Sequence, residues 1–210
     1  MPYNPNMDHK ETVKAGYNQI ADRYLAGRKC DSEDIRLLEE LITHLPKGAK
    51  VLDVGCGAGI PISQRLSELF DVTGVDFSEA QIKLARENVP NAIFLCEDMT
   101  ELDFPENIFD GIASYYSIIH IPREEHQSLL TNFYRMLKPG GYALLCLGAE
   151  HLIDDFEDNF FGARMYWSHF DSETYLKMLK ECGLTILWSR RVADSTCEGG
   201  GHLFVLMQKE

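Results

Sequence analysis

The chain has 210 residues, enough for one domain with a substantial core, and its 45% hydrophobic and 25% charged residues are typical of a globular protein. Its formal net charge of −13 disfavours binding to nucleic acid or to an anionic membrane surface. No apolar run reaches about 18 residues, and the first residues lack the pattern of a signal peptide. We therefore expect a single domain over residues 1–210, located in the cytoplasm.

The cysteines form no C-x-x-C pair, and most of them lie in apolar segments. They are Cys30, Cys56, Cys96, Cys146, Cys182 and Cys197. Reduced thiols inside the cell fit this distribution better than a disulfide framework or a zinc site. Since histidine and cysteine do not cluster at ligand spacing either, no metal site is predicted.

Helices are predicted over residues 10–45, and the first of them carries Tyr17 and Tyr24 at helical spacing. Beyond them, short apolar segments alternate with helical ones, which is typical of a parallel sheet covered by helices on both faces. The predicted strands are Lys50–Val54, Val72–Asp76, Ala92–Cys96, Ile112–Tyr116, Tyr142–Leu147, Thr185–Arg190 and Leu203–Met207. The pattern predicts a doubly wound α/β domain with an N-terminal helical cap.

A helix that follows the second predicted strand is expected to begin with a capping box at Ser78-Glu79-Ala80-Gln81. There the Ser78 hydroxyl can accept a backbone N–H of the first turn, while the Gln81 side chain reaches back to the start of the helix. That helix closes before Pro90. The later helices are predicted over Arg123–Leu137, with a turn at Pro139-Gly140-Gly141, and over Ser172–Glu181, ending at Gly183.

Residues 149–170 form a connection too long for simple alternation, rich in acidic and aromatic side chains. Connections of this length are usually functional or disordered, and the aromatic content argues against disorder. One hypothesis makes the segment a lid and acceptor pocket. The alternative is that Tyr166 and Trp167 only pack it against the sheet.

The strongest local signal is the strand that runs into a G-x-G-x-G turn at residues 51–59. Glycines there leave bare backbone for a ligand to approach. Asp53, inside the strand, suits a cationic ligand group or holds the loop by hydrogen bonds. Asp76 ends the next strand, where doubly wound sheets place an acid against a ribose hydroxyl pair. The alternative is a nucleotide-type sheet with structural glycines.

Four segments, in order and spacing, resemble the class I S-adenosylmethionine-dependent methyltransferases. They are VLDVGCGAG at 51–59, VTGVDFSE at 72–79, CEDMTELDFPENIFDGI at 96–112 and MLKPGGYALL at 136–145. The resemblance implies a Rossmann-like, mostly parallel seven-stranded sheet whose last strand, around residues 202–208, runs antiparallel. It also implies S-adenosylmethionine as the cofactor and transfer of its methyl group by in-line displacement.

The resemblance also implies a set of cofactor-binding residues. They are Tyr17, Tyr24, Asp53, Gly55, Cys56, Gly57, Gly59, Asp76, Phe77, Asp98, Met99, Ser114 and Tyr115. Among them, Asp76 would bind the ribose hydroxyls, Phe77 would pack on the adenine, and Asp98 would accept from the adenine amine. Capping of a turn is the alternative role for Asp98. For Tyr17 and Tyr24 the alternative is core packing.

Methyl transfer mainly requires alignment of the acceptor with the donor, and a general base helps if the acceptor carries a proton. The candidates are His120, His169 and Tyr166. Anchoring of its loop is the alternative role for His120. A small-molecule acceptor is expected, because the segment after the fourth strand lacks the N/D-P-P-Y/F tetrad of nucleic-acid methylases. One alternative function is S-adenosylmethionine binding without turnover. Another is an NAD-dependent oxidoreductase, but the G-x-G-x-G spacing argues against it.

Overall fold

The computed structural model describes residues 9–193 and 201–210, and helices alternate with strands along it. The helices are α1 (His9–Gly27), α2 (Glu33–Arg36), α3 (Leu38–His44), α4 (Ile62–Ser67), α5 (Glu79–Asn88), α6 (His126–Met136) and α7 (Ser172–Glu181). The strands are β1 (Lys50–Val54), β2 (Asp71–Asp76), β3 (Ile93–Cys96), β4 (Phe109–Ser114), β5 (Leu137–Leu147), β6 (Leu152–Phe160), β7 (Ala163–His169), β8 (Leu184–Ala193) and β9 (Gly201–Lys209).

Seven strands form one sheet in the order β3-β2-β1-β4-β5-β9-β8. Within it, β9 pairs antiparallel with both β5 and β8, and the other pairs are parallel. The predicted seven-stranded doubly wound sheet with an antiparallel last strand is therefore confirmed. Strand order reverses between β1 and β4, which is where open α/β sheets bind ligands, beyond the carboxyl ends of the strands.

Strand β5 explains why the sheet is covered on both faces. Ala143 and Leu145 pack into the core under α6 and α7, whereas Leu144 and Cys146 pack into the core under α3 and α4. All four side chains are buried, as a strand between two helical layers requires.

Two sequence predictions need correction around β5. The helix expected over residues 123–137 is a 3₁₀ turn, Arg123–Glu125, followed by α6, and β5 begins at Leu137. The turn expected at residues 139–141 is a bulge inside the strand, because Leu137 pairs with Phe109 and pairing resumes only at Tyr142 with Gly111. Gly140, at φ 80°, allows the backbone to leave and rejoin the ladder.

The long connection over residues 149–170 is a β-hairpin, β6–β7, that forms its own two-stranded sheet. Its tip is a two-residue turn in which Phe161 and Gly162 both have positive φ, at 50° and 94°. The hairpin packs on α1 through a separate small core that includes Val13, Ile20 and Met165. Helix α1 and this hairpin thus form one layer beside the sheet, whereas α2 and α3, also expected in the N-terminal helical cap, pack into the core on one face of the sheet.

The five cysteines in the described part of the chain are free thiols, and Cys197 lies outside that part. No helix in residues 9–193 and 201–210 has the length and apolar character needed to cross a bilayer. In the same ranges, no three His, Cys, Asp or Glu side chains are grouped as metal ligands.

We predict that Gly74→Ala destabilises the protein by about 1–3 kcal/mol, because overpacked cores lose stability on this scale. A Cβ on Gly74 would lie 2.6 Å from the ring of Phe94 and 3.0 Å from Cys56 Sγ. Urea unfolding of Gly74→Ala, Phe94→Leu and the double variant tests this explanation. The smaller Leu should relieve the contact, so the double variant should lose less stability than the sum of the single losses. Strict additivity would contradict it.

Candidate active site

A cavity lies beyond the carboxyl ends of β1, β2 and β4, where open α/β sheets bind their ligands. Helix α1 covers it on the side away from the sheet. The sequence-predicted residues that line it are Tyr17, Tyr24, Asp53, Gly55, Cys56, Gly57, Asp76, Phe77, Asp98, Met99, Tyr115 and His120. The sheet thus brings together residues that are distant in sequence.

The glycine loop after β1 is shaped by contacts to both neighbouring strands. Gly55 and Cys56 donate their N–H groups to the Val75 carbonyl, at 2.8 and 2.9 Å. Gly55 has a φ of 70°, and a Cβ there would lie 2.1 Å from that of Ser117. Only glycine fits this approach, so at this position the loop presents backbone rather than a side chain.

Asp76 fastens the loop to the next helix. Its Oδ2 accepts the Gly57 N–H at 3.0 Å, and its Oδ1 accepts the Ser78 N–H at 2.9 Å. Burial raises the pKa of Asp76 to about 6, although both N–H donors oppose that change. Each oxygen keeps a second lone pair, so the carboxylate can still accept a hydrogen bond from a ligand hydroxyl.

Asp53 lies in the floor of the cavity and is 1% exposed. The Ser63 hydroxyl, in the first turn of α4, donates a hydrogen bond to its Oδ2. Burial raises the pKa of Asp53 to about 7, so the folded protein holds a proton there more tightly than an unfolded chain does. The sequence predicted either contact with a cationic ligand group or a hydrogen-bonding role for Asp53. The structure shows a hydrogen bond, which connects β1 to α4.

Asp98 caps the turn after β3. Its Oδ1 accepts from both the N–H and the hydroxyl of Thr100 at 2.8 Å, and its Oδ2 pairs with Lys10 Nζ at 3.0 Å. The turn-capping alternative is therefore present in the structure. The ion pair with Lys10 also ties helix α1 to the edge of the cavity.

A chain of hydrogen bonds joins α1, the loop after β4 and the hairpin. His120 Nδ1 lies 2.7 Å from the Tyr166 carbonyl, which can only accept, so Nδ1 carries the proton. In the neutral ring Nε2 is then an acceptor, and Tyr17 donates to it at 2.9 Å. Burial lowers the pKa of His120 to about 4, so the ring stays neutral near pH 7.

Helix α1 is also clamped to the start of α5. Asn18 Oδ1 accepts from the Ser78 hydroxyl at 2.7 Å and from the Ala80 N–H at 3.1 Å. Its Nδ2 donates to Glu79, which pairs with Lys14 at 2.7 Å. Residues of α1 that face the hairpin are buried while Tyr17 and Tyr24 face the cavity, so these tyrosines combine packing with cavity lining.

Four predicted residues do not line the cavity. Gly59 packs against α5, where a Cβ would lie 3.1 Å from the Val89 side chain. Ser114 is buried behind the wall and shares a 2.7 Å hydrogen bond with Ser117. The other two, Tyr166 and His169, are in the hairpin.

The expectation that Tyr166 and His169 face an acceptor pocket does not match their placement. Tyr166 is fully buried, stacks on the His9 ring at 4.4 Å and donates its hydroxyl to Asp154. His169 Nδ1 donates to the Glu150 carbonyl at 2.7 Å, and its ring lies against Gly148. A two-stranded hairpin has little core of its own, so its aromatic and ring side chains are used to pack it.

Several residues that line the cavity were not predicted from the sequence. They are Val13, Leu25, Arg28, Ala58, Ile60, Ile62, Val75, Gln81, Glu97, Tyr116, Ser117 and Ile121. The Arg28 guanidinium lies 5.2 Å from the centroid of the Tyr116 ring, and Tyr116 donates to the buried Asp34. Tyr116 and Ser117 could have been predicted as lining residues, because they come shortly after the end of β4. No local sequence pattern predicts this for Arg28, which follows the end of α1.

Residues 51–141 match the family described as a methyltransferase domain. Phosphoethanolamine N-methyltransferase 1 of Arabidopsis thaliana is 35% identical over 151 residues, 68% of this chain and 30% of that protein. Demethylmenaquinone methyltransferase of Listeria monocytogenes is 34% identical over 114 residues, 50% of this chain and 47% of that protein. The chain thus spans less than half the length of these relatives.

Among solved structures, 1,6-didemethyltoxoflavin-N1-methyltransferase of Burkholderia thailandensis superposes with a TM-score of 0.70 at 22% identity. The match covers 99% of this chain and 92% of that one, and that enzyme holds S-adenosylhomocysteine and 1,6-didemethyltoxoflavin. At this identity the match establishes a shared fold.

We predict that the contribution of Asp53 to the stability of the ligand-free protein is lost as pH rises from the ordinary aspartate pKa of 3.8 to about 7, because ionisation of this buried carboxyl group is penalised. Asp53→Asn removes this contribution while keeping an acceptor for Ser63. Urea unfolding at several pH values should show the variant gaining on the wild type as pH rises. The exposed Asp71→Asn is the control, and parallel curves for wild type and Asp53→Asn would contradict the prediction.

Proposed function

We propose that the chain is a class I S-adenosylmethionine-dependent methyltransferase, in line with the methyltransferase domain that residues 51–141 match, and that it transfers the cofactor's methyl group to a small-molecule acceptor. The arrangement of Asp76 and the glycine loop at the strand ends carries the proposal. The small acceptor and a cytoplasmic location, both expected from the sequence, are part of it.

The charges of the cavity fit the parts of S-adenosylmethionine. Asp76 would accept the ribose hydroxyls, with Phe77 beside the adenine. Toward β4, Arg28 offers a cation for the carboxylate of the amino-acid part, and it stacks on Tyr116. Gly55 and Gly57 leave room between these two ends. The cavity thus matches a molecule with an adenosyl group at one end and a carboxylate at the other.

Bound S-adenosylmethionine supplies a methyl group that is already activated by its positively charged sulfur. The protein then has to hold donor and acceptor in line and keep water out. Tyr17 and Tyr24 cover the cavity from α1, and Tyr115 and Tyr116 line it after β4. These side chains leave a confined apolar space that suits a small acceptor better than a polymer.

His120 acts in this proposal as a positioning residue. Its Nε2 already accepts from Tyr17, and its lowered pKa makes it a weak base near neutral pH. Through Tyr17 and the Tyr166 carbonyl it holds both the helical cap and the hairpin. The acidity of the chain, with its net charge of −13, also disfavours a nucleic-acid acceptor.

Ligand binding and methyl transfer together test the function. We expect S-adenosylhomocysteine at about 100 times its Kd to add roughly 2.7 kcal/mol of stability and raise the Tm by about 5–11 °C, with no shift from NAD. Asp76→Asn should weaken the shift and the exposed Asp22→Asn should not. Label from S-adenosyl-L-[methyl-³H]methionine should then reach one member of a small-molecule panel that includes phosphoethanolamine and a demethylmenaquinone.

A shift with NAD alone would contradict the proposal. Binding of S-adenosylhomocysteine without transfer to any acceptor would favour the rival, a cofactor-binding protein without turnover.

The role of Arg28 has its own test. We predict that Arg28→Met raises the Kd for S-adenosylhomocysteine roughly 10- to 150-fold, the range for lost hydrogen bonds to a charged group. Binding of 5′-methylthioadenosine, which lacks the amino-acid part, should be unchanged. Calorimetric titration of both ligands gives the comparison, with the exposed Arg36→Met as control. Equal losses for the two ligands would show general damage to the cavity and contradict the assignment.

A further inference from the structure

Gln81, in the first turn of α5, is a buried amide without a partner. The residue is 1% exposed and lines the cavity. Within the described residues, neither its Oε1 nor its Nε2 has a hydrogen-bond partner. Buried amides are nearly always hydrogen-bonded, so an unpaired one in a cavity wall indicates a group that a ligand completes.

Asp76 explains why this amide is unpaired. In a capping box, the Gln81 side chain would accept the Ser78 backbone N–H. The Ser78 hydroxyl does accept the Gln81 N–H at 3.2 Å, so half of the box is formed. Asp76 Oδ1 takes the Ser78 N–H, however, at 2.9 Å. The return half is therefore occupied, and the Gln81 amide is free for another partner.

The neighbours of this amide are the groups that surround a bound ribose in the proposed function. Gln81 Oε1 lies 3.7 Å from the position that a Cβ on Gly57 would take, and the Gly57 N–H is bonded to Asp76. The carboxylate of Asp76 can only accept. An amide both donates and accepts, which is the complement of a hydroxyl group.

We propose that Gln81 and Asp76 together recognise the vicinal hydroxyls of the cofactor ribose, and that Gln81 sets the preference for ribose over deoxyribose. The inference rests on the proposed function, since it needs an adenosyl ligand in this cavity. Asp76 accepts one hydroxyl hydrogen, while Gln81 Nε2 donates to a hydroxyl oxygen and Oε1 accepts from the other hydroxyl. The unpaired amide thereby gains the partners that it lacks in the free protein.

Gln81→Met tests the proposal, because methionine keeps the length and the helix preference of glutamine but cannot hydrogen-bond through an amide. Calorimetric titrations use S-adenosylhomocysteine and its 2′-deoxy and 3′-deoxy analogues. We expect the Kd for S-adenosylhomocysteine to rise roughly 5- to 150-fold, the effect of leaving a ligand hydroxyl unpaired. For each deoxy analogue the loss caused by Gln81→Met should be smaller than for S-adenosylhomocysteine, because each analogue keeps only one of the two hydroxyls that the amide contacts. The same change at exposed Gln64 is the control.

Stability separates recognition from a structural role. Removing an unpaired buried amide should leave the Tm of the ligand-free variant equal to that of the wild type or raise it. A lower Tm, a failure to fold, or an unchanged ratio between S-adenosylhomocysteine and both deoxy analogues would overturn the inference. Gln81→Leu repeats the measurement with a second apolar side chain. Wild-type protein that does not bind S-adenosylhomocysteine would instead refute the proposed function itself.

Discussion

The carboxylate of Asp76 holds together the two turns that build the cavity. It accepts one backbone N–H from the glycine loop and one from the start of α5, and these two turns come from different strand ends. Without that bridge, two backbone N–H groups would lose their partners and the loop would lose a contact that fixes its shape. The same bridge displaces Gln81 from its capping role. One acid thus fixes the wall of the cavity and frees a second polar group within it.

The opposite wall depends on polar contacts made by α1. Lys10, Lys14 and Asn18 reach the turn after β3 and the start of α5, and Tyr17 reaches His120. Helix α1 is therefore held at several points along its length, by contacts to the turn after β3, to the start of α5 and to the loop after β4.

Sequence alone predicts residues of the cavity wall where local pattern and position in the sheet coincide. Asp76 and Gly57 line the cavity, and in the sequence the strand, the glycine turn and the acid follow in a fixed order. Sequence alone does not predict the features that tertiary contacts decide. At the hairpin tip, Phe161 rather than Asn or Asp adopts the left-handed conformation before Gly162, so the usual Asn-Gly or Asp-Gly signal of a tight turn is missing. In addition, no local pattern shows that Tyr166 lies outside the cavity wall. Arg28 reaches the cavity only because α1 lies across it.

The small apolar core between α1 and the β6–β7 hairpin has a kinetic consequence. Its buried members, including Val13, Ile20 and Met165, do not belong to the two cores that cover the sheet. Segments with a separate core of this kind open locally at a lower free energy than global unfolding requires. We therefore expect α1 and the hairpin to open together as one unit. Such opening would expose the cavity that α1 lines, while the sheet stays folded.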